Sequence, residues 1–211
     1  HDYHGDCDAQ IAYSKVSKRW NMPARYFTLT RKIDSSTTAD FFFLDTTPMA
    51  KTGHGDKKAY QIAFNQDVPK QMAWFRDALA SSKAQWKIVI GHHPIYSGGE
   101  HGDTPDLVEQ ILPLLQEHKV QVYFNGHDHD LQHLVAGEVN LIDSGAGSKV
   151  RPSAITEHTK FAIGCSGFTT VSLQAEKMDI RMIDNFGKQV YATAIPRDNA
   201  KAAQRNYEFN S

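Results

Sequence analysis

The sequence has 211 residues, which is the length of one domain with room for a substantial core. Its 23 basic and 24 acidic side chains leave a formal net charge of −1, so nothing in the balance indicates nucleic acid or an anionic membrane surface as a partner. No apolar run approaches the length that spans a bilayer. The two cysteines, Cys7 and Cys165, could pair or remain free thiols. The chain begins with His1 rather than methionine, and we expect it to be a processed or partial chain.

The first third of the chain predicts two helices and two strands. Hydrophobic spacing predicts a helix over residues 8–20 with Asp8 as its N-cap, and a second helix that begins at Pro69. Residues 25–33 and 39–45 are rich in aromatic and β-branched side chains, which predicts strands. The polar stretch 48–67 lacks periodicity and predicts a surface loop, with a lid beside an active site as the alternative.

Two predicted strands end in Gly-His. The run over 86–90 leads into Gly91-His92-His93, and the run over 120–125 leads into Gly126-His127-Asp128-His129. In an extended segment alternate residues project to the same side, so His127 and His129 can converge on one small volume. Imidazole nitrogens suit zinc, iron and manganese alike. The repeated construction therefore predicts a metal site where the two strands end.

The remaining elements complete the predicted fold. Between the Gly-His strands, Thr104 and Pro105 begin a helix that Pro113 is expected to kink. Further strands are predicted over 139–142, 168–173, 178–183 and 190–194, with a hairpin turn at 185–187. Strand-helix-strand units followed by successive strands predict a layered α/β sandwich with a mixed sheet.

Four segments, in this order and spacing, resemble the calcineurin-like metallophosphoesterases, and within them the small, tartrate-resistant purple acid phosphatases. They are Gly91-His92-His93-Pro94-Ile95-Tyr96-Ser97, Glu100-His101-Gly102, Gly126-His127-Asp128-His129-Asp130-Leu131-Gln132 and Ser144-Gly145-Ala146-Gly147. His1-Asp2 resembles the end of that family's Gly-Asn-His-Asp motif. The resemblance implies an α/β/β/α sandwich of two mixed sheets flanked by helices, with metals at the strand ends and without the first strands of the domain. It covers residues 1–196, and residues 197–211 are predicted to be a polar tail.

The resemblance also implies roles for five histidines. His92 and His127 would bind a divalent ion, His129 would bind a ferric-type ion, and His1 and His101 would contact phosphate and take part in catalysis. The ions would be Fe(III) with Fe(II), Zn(II) or Mn(II), and they would activate a water or hydroxide for in-line attack on a phosphomonoester. Further ligands would lie upstream of His1, outside this chain.

Three functions stay open on the sequence. The leading one is an acid phosphatase that hydrolyses phosphate monoesters, in a family that is typically secreted, lysosomal or periplasmic. The second is a phosphodiesterase or nucleotidase of the same superfamily. The third is a catalytically incompetent fragment that binds metal weakly, because histidines supply no negative charge to balance a trivalent ion. The sequence does not give the oligomeric state.

Overall fold

The computed structural model describes residues 3, 5–51, 63 and 65–198. The helices in this part of the chain are α1 (Cys7–Tyr13), α2 (Val68–Ser81), α3 (Pro105–Gln110) and α4 (Leu112–Glu117). The strands of the larger sheet are β1 (Phe27–Lys32), β2 (Thr38–Phe43), β3 (Trp86–Ile90), β4 (Val122–Asn125), β5 (Leu131–Ala136), β6 (Val139–Ser144) and β7 (Thr159–Ile163). The strands of the smaller sheet are β8 (Gly167–Leu173), β9 (Lys177–Asp184) and β10 (Gln189–Pro196). None of the helices described is long and apolar enough to cross a membrane.

The larger sheet is mixed, and its centre is parallel. The strand order is β1-β2-β3-β4-β6-β5-β7, in which β2, β3, β4 and β6 run parallel to one another and β1, β5 and β7 run antiparallel to their neighbours. The carboxyl ends of four strands therefore meet at the same edge. In open α/β sheets this edge is where ligands bind.

Alternation along the central strands builds two cores, one on each face of the larger sheet. On β3, Val89 points to the face covered by α2, α3 and α4, whereas Ile88 points to the smaller sheet. The smaller sheet contributes Met178, Ile180 and Met182, which are spaced by two and fully buried. Because both faces of β3 are covered, its last three residues, Ile88, Val89 and Ile90, are apolar without alternation, as is usual for buried parallel strands.

The predicted fold class is confirmed: the protein is an α/β sandwich of two sheets with helices packed on them. One detail differs, because the smaller sheet is antiparallel throughout rather than mixed. The described helices that reach the core all lie on one face of the larger sheet. Strands β5 and β7 were not predicted, since their residues follow motif and loop segments that mask the strand pattern.

Two helix predictions need correction. Helix α1 is shorter than expected and is capped by Asp6, whose carboxylate accepts from the N–H groups of Asp8 and Ala9. Its predicted continuation to Trp20 is wrong, because Val16 and Trp20 are exposed and gain no burial from a helix. The expected effect of Pro113 is confirmed, since the helix is interrupted at Ile111 and α4 starts one residue before the proline.

Three other expectations concern cysteines and chain segments. Cys7 is buried and Cys165 half-buried, and no disulfide joins them. Within the stretch 48–67, residues 52–62 and 64 lie outside the described part, so the predicted loop stays a prediction. The same holds for most of the predicted tail, although β10 does end at Pro196.

Candidate metal centre

The two Gly-His loops lie side by side because β3 and β4 are parallel neighbours. Ile90 pairs with Phe124, and the backbone continues the pairing when the N–H of Gly91 donates to the carbonyl of Phe124 at 3.0 Å. The N–H of Gly126 then donates to the carbonyl of His92 at 3.1 Å. As a result Nε2 of His92 lies 3.0 Å from Nδ1 of His127. The meeting of the loops that the sequence predicts is thus present.

A third histidine joins this pair. One ring nitrogen from each of His92, His93 and His127 lies within 4.8 Å of the other two, and their ring centroids are 4.5–4.9 Å apart. His92 is exposed, His93 buried and His127 half-buried. Such a group could hold a metal ion, because imidazole nitrogens bind transition metals at about 2 Å.

Thr46 anchors the first loop. It follows the end of β2, on the same edge of the sheet, and it is buried. Its hydroxyl accepts from the N–H groups of His92 at 3.2 Å and His93 at 3.1 Å, and lies 2.9 Å from Nδ1 of His93. With both lone pairs used in this way, the hydroxyl proton is directed to Nδ1 of His93. Thr46 was not predicted as a site residue, since no motif surrounds it and only the strand order brings it here.

The second loop has a strained backbone. His127 has a φ of 75°, a left-handed conformation that is uncommon outside glycine. Positions of this kind persist where the surrounding structure enforces them, and they concentrate at functional sites. The loop also passes close to Gly145, where a Cβ atom would lie 1.8 Å from the carbonyl oxygen of Asp128. That close approach explains the first glycine in the Ser144-Gly145-Ala146-Gly147 turn.

Buried polar groups hold the second loop in place. Asp128 is fully buried and accepts hydrogen bonds from the hydroxyl of Ser97 and, at 2.9 Å, from the N–H of His101. Asp130 is also fully buried and accepts from the side chains of Gln132 and Ser153. The loop is therefore tied to its neighbours through carboxylates rather than through an apolar contact.

Burial shifts the pKa values of two carboxyl groups, those of Asp130 and Asp143. It raises the pKa of Asp130 above its ordinary value, partly offset by the hydrogen bonds from Ser153 and Gln132. It raises the pKa of Asp143 further, and the nearby Asp130 adds to that rise. Asp143 accepts hydrogen bonds from the side chain of Asn125 and from the N–H of Gly145. The N–H of Gly145 in the glycine turn is thus satisfied by a carboxylate.

The other predicted site residues have different positions. The ring of His101 lies against His127, with centroids 4.3 Å apart, although His101 is exposed. His129 is not one of the three clustered histidines. Its Nδ1 is buried and has no hydrogen-bond partner among the described residues. His1 lies outside the described residues. The structure thus brings together His92, His127 and His101, with His93 added.

The donor atoms fit a metal ion. Leaving Nδ1 of His129 buried without a partner is costly, and a bound ion would satisfy its lone pair. The facing nitrogens of His92 and His127, 3.0 Å apart, could both bind one cation. All these ligands are neutral, so they suit a divalent ion and contribute no charge toward a trivalent one.

Fold and site together define a class, a layered α/β protein with clustered histidines at the carboxyl ends of parallel strands. The calcineurin-like phosphoesterase family matches residues 1–131, a stretch that contains both Gly-His loops. Because this match covers more than half of the chain, the protein belongs to the calcineurin-like phosphoesterase family.

Curated relatives point in the same direction. Tartrate-resistant acid phosphatase type 5 of Sus scrofa is 37% identical over 216 residues, covering 93% of this chain and 62% of the relative. Purple acid phosphatase 17 of Arabidopsis thaliana is 35% identical over 205 residues, covering 89% of this chain and 59% of the relative. The chain therefore spans somewhat less than two thirds of the length of the relatives that it matches.

Solved structures support the fold. GAP50, described as the anchor in the inner membrane complex of Plasmodium, aligns with a TM-score of 0.73 at 23% identity, over 96% of this chain and 67% of its own. The purple acid phosphatase PPD1 from yellow lupin aligns with a TM-score of 0.62 at 16% identity, over 81% of this chain and 32% of its own. At these identities the likeness concerns the fold alone.

Proposed function

We propose that this chain carries the histidine side of a metal-dependent acid phosphatase, whose substrates are phosphate monoesters. The observation that carries the proposal is the meeting of the two Gly-His loops, with Nε2 of His92 3.0 Å from Nδ1 of His127 and the ring of His101 beside them. The similarity to acid phosphatases from pig and plant supports the choice of reaction.

The residues would divide the work as follows. His92 and His127 would hold a divalent ion, and His129 would hold the ferric-type ion through its buried Nδ1, which has no hydrogen-bond partner in the described part of the chain. The ions, Fe(III) with Fe(II), Zn(II) or Mn(II), would supply an acidified water and polarise the phosphoryl group. His101 and His1 would contact the phosphate. His93, with Nδ1 facing Thr46, would support the ring of its neighbour His92 rather than bind an ion.

A second candidate is a chain that binds one ion and does not turn over substrate. Two observations favour it. The three clustered ligands carry no negative charge, and the chain spans 62% of the pig relative. Without carboxylates a pair of highly charged ions would repel strongly, so the ligands present suit a single divalent ion.

Metal content and hydrolysis, measured on the same preparation, distinguish the candidates. When the chain is part of its full-length protein, which would supply the further ligands expected upstream of His1, we expect two ions per molecule by elemental analysis, and hydrolysis of p-nitrophenyl phosphate without hydrolysis of the bis ester. The test variant is His127→Asn, because asparagine tolerates the left-handed backbone at this position. His118→Asn is the control, since His118 lies beyond the opposite end of the strands.

Each result has a defined meaning. Loss of both metal and turnover in H127N, with H118N unchanged, supports the proposal. One ion or none, without turnover in the unmodified full-length protein, favours the second candidate. Hydrolysis of the bis ester in preference to the monoester would make the protein a phosphodiesterase.

We also infer a secreted, lysosomal or periplasmic location from the resemblance to acid phosphatases. Fractionation of cells that express the full-length protein tests this, and recovery in the cytosolic fraction would contradict it.

A further inference from the structure

Arg151 lies beside the candidate site and belongs to none of the sequence motifs. Its Nη1 is 2.7 Å from Nε2 of His101, and its Nε is 2.9 Å from a carboxylate oxygen of Glu100. Its backbone N–H donates to the carbonyl of His129 at 3.0 Å. One residue thus contacts both the loop with His101 and the loop with His127 and His129.

The backbone around Arg151 is held firmly. The N–H of Ala154 donates to the carbonyl of Gly98 at 2.7 Å, and a Cβ atom on Gly98 would lie only 2.0 Å from the carbonyl oxygen of Ala154. Ser153 donates to the buried carboxylate of Asp130. The segment therefore has little freedom, and the arginine is directed to His101 by its surroundings.

The contact has a chemical consequence for His101. A guanidinium only donates hydrogen bonds, so Nε2 of His101 must accept, and the ring proton resides on Nδ1. Glu100 binds a second N–H of the same planar group, which fixes the direction of the donated bond. The Arg151 side chain is 25% exposed, so part of it remains accessible to solvent.

We propose that Arg151 is a positioning residue for His101. Clamped by Glu100, it sets the ring orientation and the tautomer so that Nδ1–H is the group that donates to an anionic phosphate oxygen. This rests on the proposed function for its role in hydrolysis, but the geometry of the contact can be tested without turnover. The substrate group it recognises is the dianionic phosphate of a monoester or inorganic phosphate.

The first test reads the tautomer of His101 directly. Long-range ¹H–¹⁵N correlation spectra of the metal-free chain are recorded at about pH 8, where exposed histidines are neutral, and His101→Asn identifies the signals. We expect the Nδ1–H form in the unmodified chain, a shift toward Nε2–H in Arg151→Gln, and an intermediate in Arg151→Lys. An Nε2–H form in the unmodified chain, or no change in either variant, would overturn the proposal.

Arg197→Gln is the matched control. Arg197 also pairs with a glutamate, with its Nη1 3.2 Å from Glu176, and its side chain is 22% exposed, but it follows β10 and lies away from the site. We expect its tautomer spectrum to equal that of the unmodified chain. A shift of His101 in R197Q as large as that in R151Q would mean a general effect of charge, and would count against the proposal.

The second test measures phosphate recognition by the metal-loaded chain. We expect R151Q to weaken inorganic phosphate binding by about tenfold in calorimetry, the loss expected for one charged hydrogen bond. If the chain hydrolyses p-nitrophenyl phosphate, kcat/KM should fall in R151Q, and R151K should recover part of the loss. An unchanged kcat/KM in R151Q would overturn the positioning role. Absence of turnover in every variant, with the tautomer shift intact, would reject the proposed function and leave the contact between Arg151 and His101 established.

Discussion

The loop after β3 and the loop after β4 both begin with Gly-His, and they meet at the same point, but they are held in different ways. The first loop has negative φ at its histidines, and neutral hydroxyls secure it, that of Thr46 on its N–H groups and that of Tyr123 on the carbonyl of His93. The second has a left-handed residue at His127, and buried carboxylates secure it. The first loop is thus relaxed and held by neutral groups, whereas the second is strained and held by carboxylates.

This difference follows from the neighbours of each strand end. β3 lies between β2 and β4, so the first loop needs only the residues just past the end of β2 to satisfy its N–H groups. The second loop must turn sharply into β5, which does not neighbour β4 in the sheet. Its contacts are then made outside the sheet, by the backbone of residue 151 and by side chains, and carboxylates accept several hydrogen bonds at once.

Removing the anchor of the second loop should have the largest effect. In Asp128→Ala, the hydroxyl of Ser97 and the N–H of His101 lose their acceptor inside the protein. We expect the free energy of unfolding to fall by about 3 kcal/mol, as for loss of hydrogen bonds to a buried charged group. Urea unfolding measures this, with Asp77→Ala on the exposed side of α2 as the control. A loss no larger than that of D77A would contradict a strongly held loop.

Removing the anchor of the first loop should cost less. Thr46→Val keeps the shape but leaves two N–H groups and Nδ1 of His93 without their partner, so we expect a loss of about 2 kcal/mol in the same assay. Metal affinity should also fall, by roughly 10–100-fold, because the support of the ligand ring is lost. Thr46→Ser retains the hydroxyl and should stay close to the unmodified protein. A loss in T46V no larger than that in T46S would show that the hydroxyl does not hold the loop.

Backbone strain can be compared directly between the loops with glycine and alanine. At His127 glycine should be more stable than alanine by about 1 kcal/mol, since glycine adopts positive φ without penalty. At His92, where φ is negative, the order should reverse, because glycine loses more backbone entropy on folding. Thermal or urea unfolding of the four metal-free variants gives both differences. The same order at both positions would show that the second loop carries no special strain.

The sequence predicts the convergence of the loops but not how they are held. Gly91-His92 and Gly126-His127 can be found because strand ends and glycine turns leave a local pattern. Thr46 and Arg151 leave none, since they reach the site through strand order and through a loop without periodicity. The burial of Asp128 and Asp130 was equally unpredictable, because a charged residue in a polar motif is usually exposed. The predicted α1 is too long for a different reason. Val16 and Trp20 have helical spacing in the sequence, but both are exposed in the structure.

The smallest effect concerns β5, which the second loop enters, and it depends on pH. Nε2 of His133 lies 2.9 Å from Oδ1 of Asn140, and Nδ1 lies 2.9 Å from the hydroxyl of Tyr191. Burial lowers the pKa of His133 below its ordinary 6.5, Lys160 lowers it further, and the hydrogen bond to Asn140 opposes the shift. As the pH falls, His133 is therefore protonated in the unfolded chain before it is protonated in the folded chain. The folded state loses stability as the pH falls from 6.5 to the lower folded pKa of His133.

His133→Gln isolates this contribution. The difference in unfolding free energy between the metal-free unmodified chain and H133Q should shrink as the pH falls below 6.5, and stay constant above it. The part of the pH dependence that remains in H133Q should have the opposite sign, because Asp130 and Asp143 have raised pKa values and bind protons more readily in the folded chain. Stability should then be lost as the pH rises from 3.8 through their folded pKa values. A difference curve that is flat through 6.5 would mean that His133 is as easily protonated in the folded chain as in the unfolded one, and would contradict the prediction.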